Sequence, residues 1–206
     1  MQVINSIILA LLFAVHTVVS LPSVLSPGND LPEQYQLSNI TWTGSLIKNG
    51  PNISFTGRSL EDIDTQIKAT FPGHVWPSTP KPKANASTGI NKSTQRVVCD
   101  MVRYSEADYE AIIAGVKYLS GKTGYCEMSG TEPGAPLSCG RVSCSYNSGI
   151  FFCNQNNYPT SQPCNWFADY AQSVLDTCLD EDTYPNIKGQ DYDSDGWSVI
   201  VGGQEC

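Results

Sequence analysis

Apolar residues fall on one helical face at three places along the chain. Leu60, Ile63 and Ile67 recur at three- and four-residue spacing, with Ser59 as an N-cap and acids in the first turn; this predicts a short helix over about 59–70. Tyr109, Ile112, Ile113 and Val116 form a second stripe, which Ser105 caps, with Asp108 three residues on, and Gly121 stops. Trp166, Phe167, Tyr170, Ala171, Val174, Leu175 and Cys178 form the strongest stripe, opened by Pro163. Between the last two, Arg141 to Tyr146 and Gly149 to Asn154 read as strands around an Asn147-Ser148-Gly149 turn, and Trp197 to Val201 reads as a final strand. The fold class is therefore α+β: a small antiparallel sheet packed against two or three helices.

One apolar run follows neither period. Ile7 to Val19 is broken only by His16 and Thr17, and it is shorter than a membrane span. Val18-Val19-Ser20 follows, as a signal peptidase site requires, although residues 1–6 carry no Lys or Arg. Residues 1–20 are read as a signal peptide. The mature chain then starts near Leu21, secreted, with no membrane anchor.

Cysteine usage fits that compartment. Cys99, Cys126, Cys139, Cys144, Cys153, Cys164, Cys178 and Cys206 all lie beyond the signal. An even count in an exported chain predicts four disulfides, whose pairing is open among on the order of a hundred connectivities. The spacings contain no C-x2-C knuckle, so zinc is disfavoured.

The chain divides at about residue 98. Residues 21–98 carry seven Lys/Arg and five Asp/Glu, no cysteine, and all four glycosylation sequons, at Asn39, Asn52, Asn85 and Asn91. This half is expected to be a glycosylated arm with one helix, followed by a Pro/Ser/Thr/Lys linker over 77–93. The helix needs a partner for its apolar stripe, so it is expected to dock on the cysteine-rich domain, 99–206. That domain has five Lys/Arg and fifteen Asp/Glu. The net charge of −8 disfavours nucleic-acid partners and anionic membranes, and the chain is expected to be a monomer.

Candidate chemistry is narrow. Gly121-Lys122-Thr123 departs from a phosphate loop in spacing and follows a helix, so a helix C-cap explains it better. Asp191-Tyr192-Asp193-Ser194-Asp195-Gly196 matches the first half of a calcium loop. Position twelve is Gly202 instead of Glu, so no cofactor or metal is assigned; an acidic turn and a non-EF calcium or substrate site stay open. His74 is the mature chain's one histidine, and G-x-S-x-G and H-E-x-x-H are absent. Carboxylates remain. Glycoside hydrolysis needs two, one acid and one nucleophile or base. Asp191, Asp193, Asp195 and Glu181 are the candidates, with Trp197 and Tyr192 as sugar-stacking surfaces. A solvated acidic face is the competing reading.

Four stretches together carry a resemblance: Thr56 to Lys68; Cys139-Gly-Arg-Val-Ser-Cys to Asn154; Phe167-Ala-Asp-Tyr-Ala-Gln; and Gly189-Gln-Asp-Tyr-Asp-Ser-Asp-Gly-Trp-Ser-Val-Ile-Val. This arrangement resembles a family of small secreted cysteine-rich proteins of filamentous, often plant-pathogenic, ascomycetes. Some members are effectors with chitinase activity, which trim chitin oligomers so that the plant's chitin receptors stay silent. The resemblance implies an apoplastic effector whose partner is a chitin oligosaccharide or another host target. The D-x-x-D-x-D-x-E signature of large chitinases is absent, so the acids named above come from the residues and not from the family. A topological likeness to killer-toxin-like α/β sandwich proteins implies the alternative, a non-catalytic toxin or ligand-sequestering module.

Overall fold

The computed structural model describes residues 34–47, 49–77, 94–101, 104–180, 182 and 184–206. The signal segment, Asn85, Asn91, Glu181 and all of the 77–93 linker but Pro77 lie outside them.

Within the described residues the chain forms β1 (Tyr35–Leu37), β2 (Ile40–Gly44), β3 (Ile53–Gly57), α1 (Leu60–Thr70), β4 (Thr94–Val98), β5 (Ala107–Asp108), α2 (Tyr109–Ser120), β6 (Tyr125–Met128), β7 (Leu137–Ser145), β8 (Ser148–Asn154), β9 (Thr160–Pro163), α3 (Trp166–Cys178), β10 (Asn186–Ile187), β11 (Gly189–Asp193) and β12 (Trp197–Gly203). The class is α+β, but the strands outweigh the helices. One sheet has six strands in the order β1-β7-β8-β12-β11-β4, with β1 parallel to β7. A second has four, β3-β2-β6-β9, all antiparallel, and β5 pairs with β10. Residues 35–57 thus supply three strands where the sequence reading has an arm.

β8 and β12 are buried along their whole length, which explains their unbroken apolar runs. One face of the large sheet carries Phe152, Trp197, Val199 and Val201 into the main core, with Phe167, Tyr170 and Val174 of α3 and Ile112 and Val116 of α2. The other face carries Phe151 and Ile200 into a smaller cluster with Tyr35, Met101 and Tyr104. Leu60, Ile63 and Ile67 of α1 are fully buried in the main core. Each fully buried side chain of this size contributes roughly 1.5–3 kcal/mol of transfer free energy.

Element boundaries depart from the sequence reading in three places. Asp108, not Ser105, caps α2, accepting from the Ala111 amide at 2.8 Å; the Ser105 carbonyl is taken by Gly203 N at 2.8 Å. Pro163 ends β9 opposite Tyr125 instead of opening α3, which starts three residues later. The β7–β8 turn sits at Tyr146-Asn147, both in the left-handed region (φ 49° and 55°), as a two-residue hairpin matching the strand twist requires.

All eight cysteines pair: Cys99–Cys178, Cys126–Cys164, Cys139–Cys153 and Cys144–Cys206. Cys139 and Cys153 stand directly opposite on β7 and β8. Four disulfides fit an oxidising compartment. No helix among the described residues is long and apolar enough to cross a membrane.

Candidate functional site

The acidic hairpin between β11 and β12 does not assemble the expected site. Side chains alternate along a strand, so Asp191 and Asp193 point with Gly189 toward α3, while Gln190 and Tyr192 point to the opposite face. Asp191 is fully buried and Asp193 is 7% exposed. Asp193 Oδ2 accepts from the Tyr170 hydroxyl, and its Oδ1 accepts from the Asp195 amide at 2.8 Å. Burial and this hydrogen bond push the Tyr170 phenol well up from its ordinary value. Asp193 therefore ties helix to turn while Asp191 is enclosed in the interior; neither is presented to a substrate.

The aromatic candidates are corrected in the same way. Trp197 is 1% exposed, with Tyr170, Phe152 and Phe167 around its ring at 4.5, 5.7 and 6.2 Å between centroids. Tyr192 is half-buried on the other face, donating to Gln190 Oε1 at 2.8 Å beneath the Arg96 guanidinium. Burial, then neighbouring Tyr35, pushes its phenol up to about 12. A sugar ring has no free face to stack on at Trp197, and Tyr192 stands away from the acids. Glu181 lies outside the described residues.

Of the named acids among the described residues, Asp195 alone is exposed, and it lies beside a polar groove. The Asp193 carbonyl accepts from Gly196 N at 3.3 Å, and Gly196 adopts φ +77°, so Asp-Ser-Asp-Gly forms a tight hairpin turn. Among the described residues no group of three or more His, Cys, Asp or Glu side chains is placed to hold a metal.

Asn156 fixes this turn to the loop after β8. Its Nδ2 donates to Asp195 O, Gly196 O and Thr160 Oγ1 at 2.9, 3.1 and 3.1 Å. Asn154, fully buried, anchors the loop from beneath. It donates to Tyr158 O and Ser129 O, and its Oδ1 accepts from Asn156 N and Thr160 Oγ1. An asparagine can satisfy both a carbonyl row and an amide row at once, which is why two of them build this junction. The result is an open groove of about 570 Å³ lined by Asn156, Tyr158, Ser161, Gln162 and Asp195, with Tyr158 57% exposed. Apart from Asp195, these residues are not among the sequence candidates; the Asn-Gln-Asn-Asn-Tyr run at 154–158 is the signal available.

A second polar cluster was also missed, and it is closed. Lys122 and Asp64 are buried, with Nζ 2.5 Å from Oδ2. Asp64 also accepts from Trp76 Nε1 at 3.0 Å and from the Tyr118 hydroxyl at 2.7 Å. The ammonium lies over the Tyr118 and Trp76 rings at 3.9 and 4.5 Å. Burial pulls the lysine below its ordinary value and pushes the Tyr118 phenol up. This ammonium is engaged with Asp64, not held out toward a phosphate, so Gly121-Lys122-Thr123 acts as helix end and internal cation.

No family model matches the chain, and no curated protein or solved structure is found to match it.

Proposed function

We propose that this chain is a secreted fungal effector of the host apoplast that holds a neutral oligosaccharide of the chitin class in the groove beside the Asp193–Gly196 turn. The observation that carries the reading is the Asn154–Asn156 network, which fixes the groove wall that bears Ser161, Gln162 and an exposed tyrosine before any ligand arrives. Fixed donors and acceptors and one stacking ring suit a ligand rich in hydroxyl and acetamido groups, and preorganisation lowers the ordering cost of binding. The four disulfides and the resemblance to secreted ascomycete effectors support the setting.

Holding is favoured over cleavage. A glycosidase needs two carboxylates about 5–9.5 Å apart at the scissile bond, and among the described residues Asp195 is the one acid lining the groove. The chain then acts stoichiometrically, by keeping oligomers from the plant's receptors.

Purified mature protein incubated with chitin hexamer tests this. Calorimetry is expected to show binding, with the hexamer intact by mass spectrometry. Tyr158→Ala should weaken binding about three- to tenfold, the range of one aromatic stack. Dimers and trimers accumulating over many turnovers would replace sequestration with degradation. Absence of binding would leave the killer-toxin-like alternative.

A further inference from the structure

The hairpin of β2 and β3 is built from two similar hexapeptides. Asn39-Ile40-Thr41-Trp42-Thr43-Gly44 is matched by Asn52-Ile53-Ser54-Phe55-Thr56-Gly57. With a side-chain period of two, each copy sends Ile and its aromatic residue inward and its hydroxyl residues outward. Ile40 and Trp42 are fully buried, and Ile53 and Phe55 pack against the same core.

Antiparallel pairing makes the repeat self-complementary. Thr41 stands opposite Thr56 and Thr43 opposite Ser54, each pair with its Oγ atoms 2.8 Å apart. The same rows continue through Glu127 and Tyr125 of β6 to Ser161 and Pro163 of β9. Tyr125 is 56% exposed, and Ser54, Thr56, Glu127 and Ser161 are exposed as well. The outer face of the four-stranded sheet is therefore a hydroxyl ladder with one aromatic ring in it.

The first residue of each copy is a sequon asparagine. Asn39 and Asn52 are both exposed and precede their strands by one residue, so the alternation that carries Thr41 and Ser54 outward carries them too. Because the strands run in opposite directions, the two asparagines stand at opposite ends of the face. β3 is the sheet edge, the kind of backbone row that proteins ordinarily protect, and Gln66 of α1 covers it in part by donating to Thr56 O at 3.0 Å.

We infer that this face is a modification site whose occupant is the chain's own sugar: N-linked oligosaccharides on Asn39 and Asn52 lie over the hydroxyl ladder and Tyr125 and cover the β3 edge. The donor is a polyisoprenyl-diphosphate oligosaccharide of the secretory pathway. The asparagine Nδ2–C1 bond forms as the C1–O bond to diphosphate breaks, and one amide proton is lost, with no change of oxidation state. Neutral hydroxyl rows and a tyrosine face complement a sugar chain by hydrogen bonding and stacking. The inference is independent of what the groove binds.

The test uses the full chain secreted from a glycosylating eukaryotic host. Peptide mass spectrometry is expected to find both Asn39 and Asn52 occupied. Tyrosine nitration by tetranitromethane should be several-fold slower at Tyr125 in this protein than in Asn39→Gln/Asn52→Gln, with Tyr146, exposed on the β7–β8 turn of the other sheet, as the internal control. Should the double variant fail to fold, enzymatic deglycosylation of the folded protein supplies the same comparison. An unmodified asparagine at either position, or equal nitration of Tyr125 with and without sugar, overturns the inference.

Discussion

Lys122 Nζ lies 2.5 Å from Asp64 Oδ2, joining the end of α2 to the buried side of α1. Removing either partner leaves an uncompensated buried charge. Asp64→Leu or Lys122→Met alone should therefore destabilise by about 3–5 kcal/mol, and the double variant by clearly less than the sum. Urea unfolding of the four proteins checks this; additive losses would mean that the pair is not coupled.

Three phenols, Tyr170 buried and Tyr118 and Tyr192 half-buried, set the alkaline limit. Tyr118, Tyr170 and Tyr192 are each raised above 10.0, first by burial, and Tyr192 reaches about 12. A folded value above the unfolded one means the contribution to stability is complete below pH 10 and is lost as pH climbs toward and past 12. Phenolate absorbance from these three should appear together with loss of the near-ultraviolet dichroism. Ionisation of Tyr192 in a still-native protein below pH 11 would contradict it.

Gly196 is the pivot of the groove. At φ +77°, a Cβ there would meet Asn156 Oδ1 at 2.4 Å. Gly196→Ala should cost ~1–3 kcal/mol of stability and also lower oligosaccharide affinity, because Asn156 must move. Tyr170→Phe should likewise destabilise by about 1–3 kcal/mol, through the unpaired Asp193 oxygen, but leave affinity unchanged, since Tyr170 faces the core. Thermal melts paired with calorimetry separate the two variants.

These two residues also mark where the sequence stops being informative. Ser59, Leu60, Ile63 and Ile67 announce α1 and its buried side, and the run from Trp166 to Cys178 announces α3, because helix periodicity is local. The pairs Ile40/Trp42 and Ile53/Phe55 carried a readable alternation for β2 and β3. The acids of β11 were not readable. Asp193 occupies an inward position where α3 supplies Tyr170, and a distant partner leaves no trace in local pattern. Asp108 took the cap from Ser105 for a similar reason, as Gly203 of β12 claims the Ser105 carbonyl. Pro163 reads as a helix start in the sequence because proline suits both a first helical turn and the last residue of an edge strand.

Disulfide loss should follow loop length. Cys99–Cys178 and Cys144–Cys206 close separations of 79 and 62 residues, and Cys139–Cys153 closes 14. In the chain-entropy model the long ones contribute about 4–5 kcal/mol and the short one about 3. Paired Cys→Ser variants ranked by urea midpoint check the order. Full reduction should give cooperative unfolding by circular dichroism.

Every one of those bridges lies at or beyond Cys99, while β1, β2, β3 and α1 come before it. A single peptide-bond cut between residues 78 and 93 would leave the two pieces with no covalent bond between them. They would be held by the β1–β7 and β2–β6 ladders, the Lys122–Asp64 contact and the shared core. The protein is thus a natural candidate for fragment complementation, in which a cysteine-free piece and a fully oxidised piece each lack part of the shared core and regain one fold on mixing.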